Sequence, residues 1–286
     1  MNVELANAYW TSAGPVDVHV GREWSEYDFA DRCAEAAKVG FAGLGLWHAD
    51  IEHQLEKRSL RDIRRMLEDN GVRLFELEFL MDWFLDEGDE ARKTADRTRK
   101  LLFEAAAELD AHHIKAGNIP GRPCEMPRLK VSYAELVADA AQHTSAKVLY
   151  EFMPFDVNVN SIETALDVVG QVERSGVVID TWHMAKLGIA PNDLRQIPLE
   201  QLGWVELSDG QYESLADRVD ETVNHRRLPG EGEFDIRGYI EVCRDIGYAE
   251  PWGVEVLSQE LRSHPIDEMF RRTYEAAAAQ FDPVAA

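Results

Sequence analysis

The stretch Val177-Val178-Ile179-Asp180-Thr181-Trp182-His183 runs from aliphatic, β-branched residues straight into an acid, with a histidine three positions on. An unbroken aliphatic run is how a strand of a buried parallel sheet reads, because both of its faces are covered. Such a strand has no room for a carboxylate unless a partner or a metal offsets the cost of burying its charge. The arrangement recurs at Val148-Leu149-Tyr150-Glu151, at Trp204-Val205-Glu206-Leu207-Ser208-Asp209 and at Trp252-Gly253-Val254-Glu255-Val256. Four strands in succession therefore carry an acid within or at the end of an apolar run.

Outward from that block, strand and helix patterns alternate along the chain. Earlier strands are expected at Val3 to Tyr9, Phe41 to Trp47, Val72 to Leu80 and Ala111 to Ala116, and the last of the acid-bearing strands at Pro251 to Leu257. Helices are expected from a Ser25-Glu26-Tyr27-Asp28 capping box to Val39, then over Leu60 to Asn70, Asp86 to Leu109, Ser132 to His143, Ser161 to Val172, Phe234 to Ile246 and Ile266 to Ala279. Gly40 and Asn70-Gly71 supply helix stops. Asp209 to Gly232 reads as a long polar loop whose end, Pro229-Gly230-Glu231-Gly232, is suited to act as a flap, and Phe281 to Ala286 reads as a frayed tail. Strict βα alternation predicts a parallel sheet with helices outside. Eight such units favour a closed (β/α)8 TIM barrel, one domain over residues 1–286, above an open doubly wound sheet. No G-x-G-x-x-G follows the first strand, which removes the main signal for the rival.

The net charge is −23 with a sequence pI near 4.7. A surface that acidic repels nucleic-acid phosphate and anionic membrane, and points instead to a cation or a small neutral polyol as ligand. Three cysteines, Cys33, Cys124 and Cys243, give an odd count with no C-x-x-C, which fits a reducing, cytoplasmic setting. Cys33 and Cys243 are expected to be small core residues. Met1-Asn2-Val3-Glu4-Leu5 has neither a basic nor a long apolar segment, so no leader is expected.

In a (β/α)8 barrel the chemistry gathers at the C-terminal ends of the strands. Glu151, Asp180, Glu206 and Glu255 would then converge on one mouth, and four carboxylates in contact repel strongly at low dielectric. A divalent cation is the simplest way to keep them together, and all-oxygen donors favour Mn²⁺ or Mg²⁺ above Zn²⁺. His183, three residues past Asp180, faces the same pocket as a substrate or supporting group. Trp10, Trp47, Trp182 and Trp204 lie near strand ends, where aromatic faces suit sugar rings. His48 closes the second strand and Lys115 the fourth, where an ammonium could neutralise an oxyanion. One of Arg218, Arg226 and Arg227 is expected to reach substrate; Trp10, His48, Lys115, His183 and Arg218 form the expected substrate set.

Taken with Ala37 to Leu46, Tyr150-Glu151, Asp180-Thr181-Trp182-His183, Glu206-Leu207-Ser208-Asp209, Pro229-Gly230-Glu231-Gly232 and Val254-Glu255, the chain resembles the xylose isomerase-like barrel superfamily, in particular its sugar phosphate isomerase/epimerase group. The resemblance implies a single divalent ion, most often Mn²⁺ with Mg²⁺, Co²⁺ or Zn²⁺ as substitutes, held by Glu151, Asp180, Glu206 and Glu255. It implies that Glu151 and Glu255 exchange a proton with substrate carbon through an enediolate and that His183 binds substrate oxygens. One departure is plain: Glu206 stands where the family usually has histidine. Four carboxylates on one dication leave a surplus of negative charge, so a glutamate stays protonated, a Lys or Arg compensates, or Glu206 turns away. A protonated glutamate is a ready general acid.

The expected activity is therefore an isomerase or epimerase of a keto-sugar or polyol, with a dehydratase or other eliminating lyase, on a keto-glycoside or a 3-dehydroshikimate-like substrate, as the alternative. An endonuclease of abasic DNA shares the barrel, but the charge and the nine dispersed histidines argue against it. A non-catalytic barrel whose acids form salt bridges is the remaining contender. Homo-oligomerisation is left open by the sequence.

Overall fold

The computed structural model describes residues 3–282, with the side chain of His19 apart. Eight parallel strands close into a barrel in sequence order: β1 Leu5–Asn7, β2 Gly43–Trp47, β3 Arg73–Leu80, β4 His113–Ala116, β5 Lys147–Glu151, β6 Ser175–Asp180, β7 Leu202–Leu207 and β8 Trp252–Val254. Closure is completed by β1 pairing with both β2 and β8. The outer ring is made by helices over Phe29–Val39, Leu60–Asn70, Glu90–Leu109, Met126–His143, Ile162–Val169, Ile236–Ile246 and Ile266–Ala279. No helix among the described residues is long and apolar enough to cross a membrane.

Local chemistry sets most of these boundaries. Asp28, not Ser25, caps the first long helix: its carboxylate accepts from the Ala30 N–H, while the Ser25 N–H donates to Asp50. A reciprocal Ser59–Asp62 capping box opens Leu60–Asn70, and Gly71 closes it at φ 68°. Met126–His143 starts six residues before the expected Ser132, because Pro127 sits in its first turn, where a missing N–H costs nothing. β1 is shorter than expected, since Tyr9–Ser12 already turns helical. Residues 1–2 and 283–286, which include part of the expected leaderless start and frayed tail, lie outside the described residues.

The barrel interior is layered. At the N-terminal end of the strands Ala6, Phe75, Leu149, Val178 and Trp204 form a dry plug, with Phe75 and Trp204 stacked at 5.6 Å. Acids fill the middle. Tyr9, Trp10, Trp47, Phe79, Met153 and Leu257 pack together at the C-terminal mouth. The plug denies water to the acid layer from below. Cys33 and Cys243 are fully buried on helices, as expected, and burial pushes both thiols up to about 12.

Candidate functional site

Strand parity brings the acids inward. Glu151 ends β5, Asp180 ends β6 opposite Glu206 of β7, and Glu206 in turn lies opposite Gly253, two residues before Glu255. All four are buried, and one oxygen from each lies within 4.8 Å of the others. A second grouping of the same kind contains Glu151, Asp180 and His183.

β3 adds two further acids. The β2–β3 register shifts between Leu44 and Gly45, so Phe75 is an extra residue and both Phe75 and Glu76 turn inward, followed by Glu78. Two glycines make room. A Cβ at Gly45 would lie 2.4 Å from a Glu76 oxygen, and one at Gly253 would lie 2.8 Å from Glu206 Cγ. Side chains at either position would expel the acids that face them.

Two cations sit among these carboxylates. Lys115, fully buried, donates to Glu255 at 2.9 Å and to both oxygens of Glu206 at 3.1 and 3.2 Å, with Glu78, Glu151 and Glu76 at 3.6, 3.7 and 3.7 Å. Burial alone would strip its proton, but the surrounding carboxylates outweigh burial and hold it charged, well above the usual lysine range. Arg226 donates to Asp180 at 2.6 Å and to Glu255 at 3.0 Å, and its guanidinium lies 5.0 Å from the Trp182 ring centroid. Burial raises Asp180, yet Arg226 and His183 pull it below its ordinary value. Glu76, Glu78 and Glu206 go the other way: burial dominates and pushes each above its ordinary value.

Asp180 has a second task. Its Oδ1 accepts from the Trp182 and His183 N–H groups at 2.7 and 3.4 Å, capping the short helix Thr181–Lys186. That helix start aims His183 Nε2 at Glu151, 3.3 Å away, and leaves Nδ1 without a partner among the described residues. On the other wall, the Glu78 carbonyl lies 3.3 Å from His48 Nδ1. A carbonyl only accepts, so that nitrogen carries the proton and Nε2 is left as an acceptor. Burial depresses His48 to about 4.

A cavity of about 400 Å³ opens above the acids at the strands' C-terminal ends. Glu78, Glu151, Glu255, His183, Arg226, His48, Trp10 and Trp47 line it. Asp180, Glu206 and Lys115 are buried outside the lining. Arg218 is exposed in the helix Arg218–Asn224 and does not line the cavity, whereas Thr222, Val223 and Arg226 from the same segment do. Trp204 lies in the plug, and Trp182 beneath Arg226. The Pro229–Gly232 segment is pinned away from the mouth. Asp209 accepts from the N–H groups of Gly230, Gly232 and Phe234 at 2.9 to 3.0 Å, and a Cβ at Gly232 would lie 2.2 Å from its Oδ1. Its glycines let backbone approach a carboxylate, which is why the segment is not a flap.

The family model described as xylose isomerase-like TIM barrel matches residues 33–277. The chain belongs to that family. Among curated relatives, a 3-dehydroshikimate dehydratase of Pseudomonas aeruginosa is 24% identical over 232 residues, covering 80% of this chain and 36% of its own length. The chain thus spans about a third of that relative. An inosose isomerase of Bacillus velezensis is 22% identical over 236 residues, covering 80% of this chain and 83% of the relative. Among solved structures, IOLI protein with a binding zinc atom superposes with a TM-score of 0.79 at 17% identity, over 97% of each chain. Within this family's barrel, Glu76, Glu78 and the cation pair Lys115–Arg226 are the features that reading the late strands alone leaves out. The signal for the two glutamates was present in Arg73-Leu74-Phe75-Glu76-Leu77-Glu78-Phe79-Leu80, an apolar strand broken by two acids.

Proposed function

We propose that this chain is a divalent-metal-dependent isomerase or epimerase acting on a keto-sugar or related polyol, by removal of the proton α to a carbonyl. The observation that carries the reading is the convergence of Glu151, Asp180 and Glu255, with His183 beside the first two, beneath a cavity that opens at the barrel mouth. This donor set fits a hard or borderline divalent ion: three carboxylates, plus an imidazole whose Nε2 already faces Glu151 and Asp180 at 3.3 and 3.8 Å. Glu206 joins the carboxylate grouping, but both of its oxygens accept from Lys115, and those of Glu255 accept from Lys115 and Arg226, so an ion would compete with the buried cations at either residue. The ion, when bound, would polarise a substrate carbonyl or its neighbouring hydroxyl and stabilise the enediolate. Mn²⁺ suits the oxygen-rich set; Mg²⁺, Co²⁺ and Zn²⁺ are substitutes.

The chain's own residues supply the rest. Glu151 and Glu255 both line the cavity, 3.7 and 2.9 Å from the Lys115 ammonium, so one could take a proton from substrate carbon while the other delivers one to the opposite face. Arg226 donates to both Asp180 and Glu255 and so fixes their rotamers. Glu78 lines the cavity with its Oε1 unpartnered among the described residues and burial raising its affinity for a proton, which suits it to act as an acid toward a substrate oxygen. Return of the proton to the same carbon gives an epimer, and to the neighbouring carbon an isomer.

A lyase is the second reading. A proton-donating Glu78 in the cavity wall would suit β-elimination, and the dehydratase relative is consistent with it. Solvent deuterium exchange with a panel of keto-sugars and cyclic polyol ketones, in the presence of Mn²⁺, tests the shared step. Glu151→Gln and Glu255→Gln should lower exchange by about 10²–10⁴-fold, and Glu206→Gln by much less. A dead Glu206→Gln beside active Glu151→Gln and Glu255→Gln would overturn the assignment of roles.

A further inference from the structure

The cavity inverts the ordinary order of polarity. Its floor carries Glu78, Glu151, His183, Arg226 and Glu255, all under 5% exposed, with Phe79 and Met153 buried beside them. Toward solvent apolar side chains predominate, Ile119 at 39% and Val219 at 58% exposed, with Met81, Phe155 and Val223 half-buried beside Glu23 and His48. Apolar side chains grouped at an opening mark a surface meant to be covered.

The outer wall has few polar groups, and each already holds one partner, with His48 Nε2 left as an acceptor. Glu23 accepts from Trp47 Nε1 at 2.7 Å, Thr222 Oγ1 accepts from Arg226 at 3.3 Å, and His48 Nδ1 is spent on the Glu78 carbonyl. A bare polyol filling the cavity would set its outer hydroxyls against Met81, Ile119, Phe155 and Val223, where they would lose water and gain no partner. The volume of about 400 Å³ falls within the range of pockets for two-part, drug-sized ligands, about 300–1,000 Å³.

Resting on the proposed proton-abstraction reading, we infer that the substrate is a two-part molecule: a keto-sugar or keto-polyol head at the acid floor, carrying an aromatic substituent that lies along the outer wall. Ile119, Phe155, Val219 and Val223 are its specificity determinants. An aromatic body suits the edges of Trp10 and Trp47, whose rings meet at 5.0 Å on one side of the mouth.

The test uses two keto-glycosides that differ only in a methyl or a phenyl aglycone, with the Mn²⁺-supplemented protein. Calorimetry gives affinity, and deuterium wash-in on the same samples reports proton abstraction. The phenyl compound should bind about 10- to 100-fold more tightly, the gain expected from burying one ring. Ile119→Asn with Val219→Asn, both at exposed positions that do not threaten folding, should reduce that preference by about tenfold. Affinities for the two compounds within about twofold, or no binding of either, would overturn the inference. Equal affinities with wash-in would leave the proposed function standing while removing the aromatic body. A phenyl preference without wash-in would keep the ligand class and sink the proposed chemistry.

Discussion

Lys115 shows how one residue can hold a site together without touching the cavity. Among the described residues five carboxylates lie within 4 Å of its ammonium, Glu76 and Glu206 closed off from the cavity and Glu78, Glu151 and Glu255 lining it. Replacing it by methionine leaves those acids buried without their cation, a change that costs about 3–5 kcal/mol when one member of a buried pair is lost. Lys115→Met should therefore shift the urea midpoint sharply, and adding Glu206→Gln should recover part of the loss; a purely additive double variant would show that the two side chains do not depend on each other. His48 makes a separate, pH-dependent contribution. Its folded value is depressed to about 4 while its unfolded value is the ordinary 6.5, so between these the unfolded chain binds the extra proton. Stability from this residue is complete above pH 6.5 and is lost as pH falls toward 4. His48→Gln should flatten that limb of a stability–pH curve, and an unchanged slope would mean that His48 is protonated in the fold.

At the scale of elements, Asp209 is the anchor of the segment between β7 and the helix Ile236–Ile246. One carboxylate gathers three backbone N–H groups from Gly230, Gly232 and Phe234, and a fourth from Gly210 at 2.7 Å. Asp209→Ala should free these groups together, raising amide exchange at all four positions while the outer helices keep their protection; exchange confined to Gly210 would contradict the shared anchor. The same segment shows what could be read from residues in order and what could not. Strand order, the inward acids of β5 to β8 and most helix ends follow from periodicity and from capping side chains such as Ser59 and Asp235, which act within a few residues of themselves. The anchoring of Pro229–Gly232 depends on a carboxylate some twenty positions away, so the glycines alone read equally well as a flap. Glu76 escaped for a similar reason: its inward turn requires the register shift opposite Gly45, a property of two strands together. Arg226, not Arg218, reaches the acids because helix Arg218–Asn224 ends just before it, and no local pattern distinguishes the two arginines.

Over the whole molecule, a net charge of −23 surrounds a core that itself collects six acids against Lys115 and Arg226. Any divalent ion will lower the repulsion of such a surface, so stabilisation by Mn²⁺ is informative only when that diffuse effect is separated from the site. At about 0.15 M salt the screening length is about 8 Å, which suppresses the contribution of scattered surface acids but not that of carboxylates buried side by side. Mn²⁺ at a hundredfold excess over its dissociation constant should then stabilise the native chain by about 2.7 kcal/mol, a rise in melting temperature of about 5 °C for a protein of this size. Asp180→Asn is the sharpest control. An amide can still cap Thr181–Lys186 through its oxygen, so the fold is retained, while the negative charge that would face the ion is gone. The variant should lose most of the Mn²⁺-induced shift and keep whatever the surface supplies. If it gains as much as the native protein, the ion acts on the exterior, and the acids at the barrel mouth are a salt-bridge network around Lys115 and Arg226.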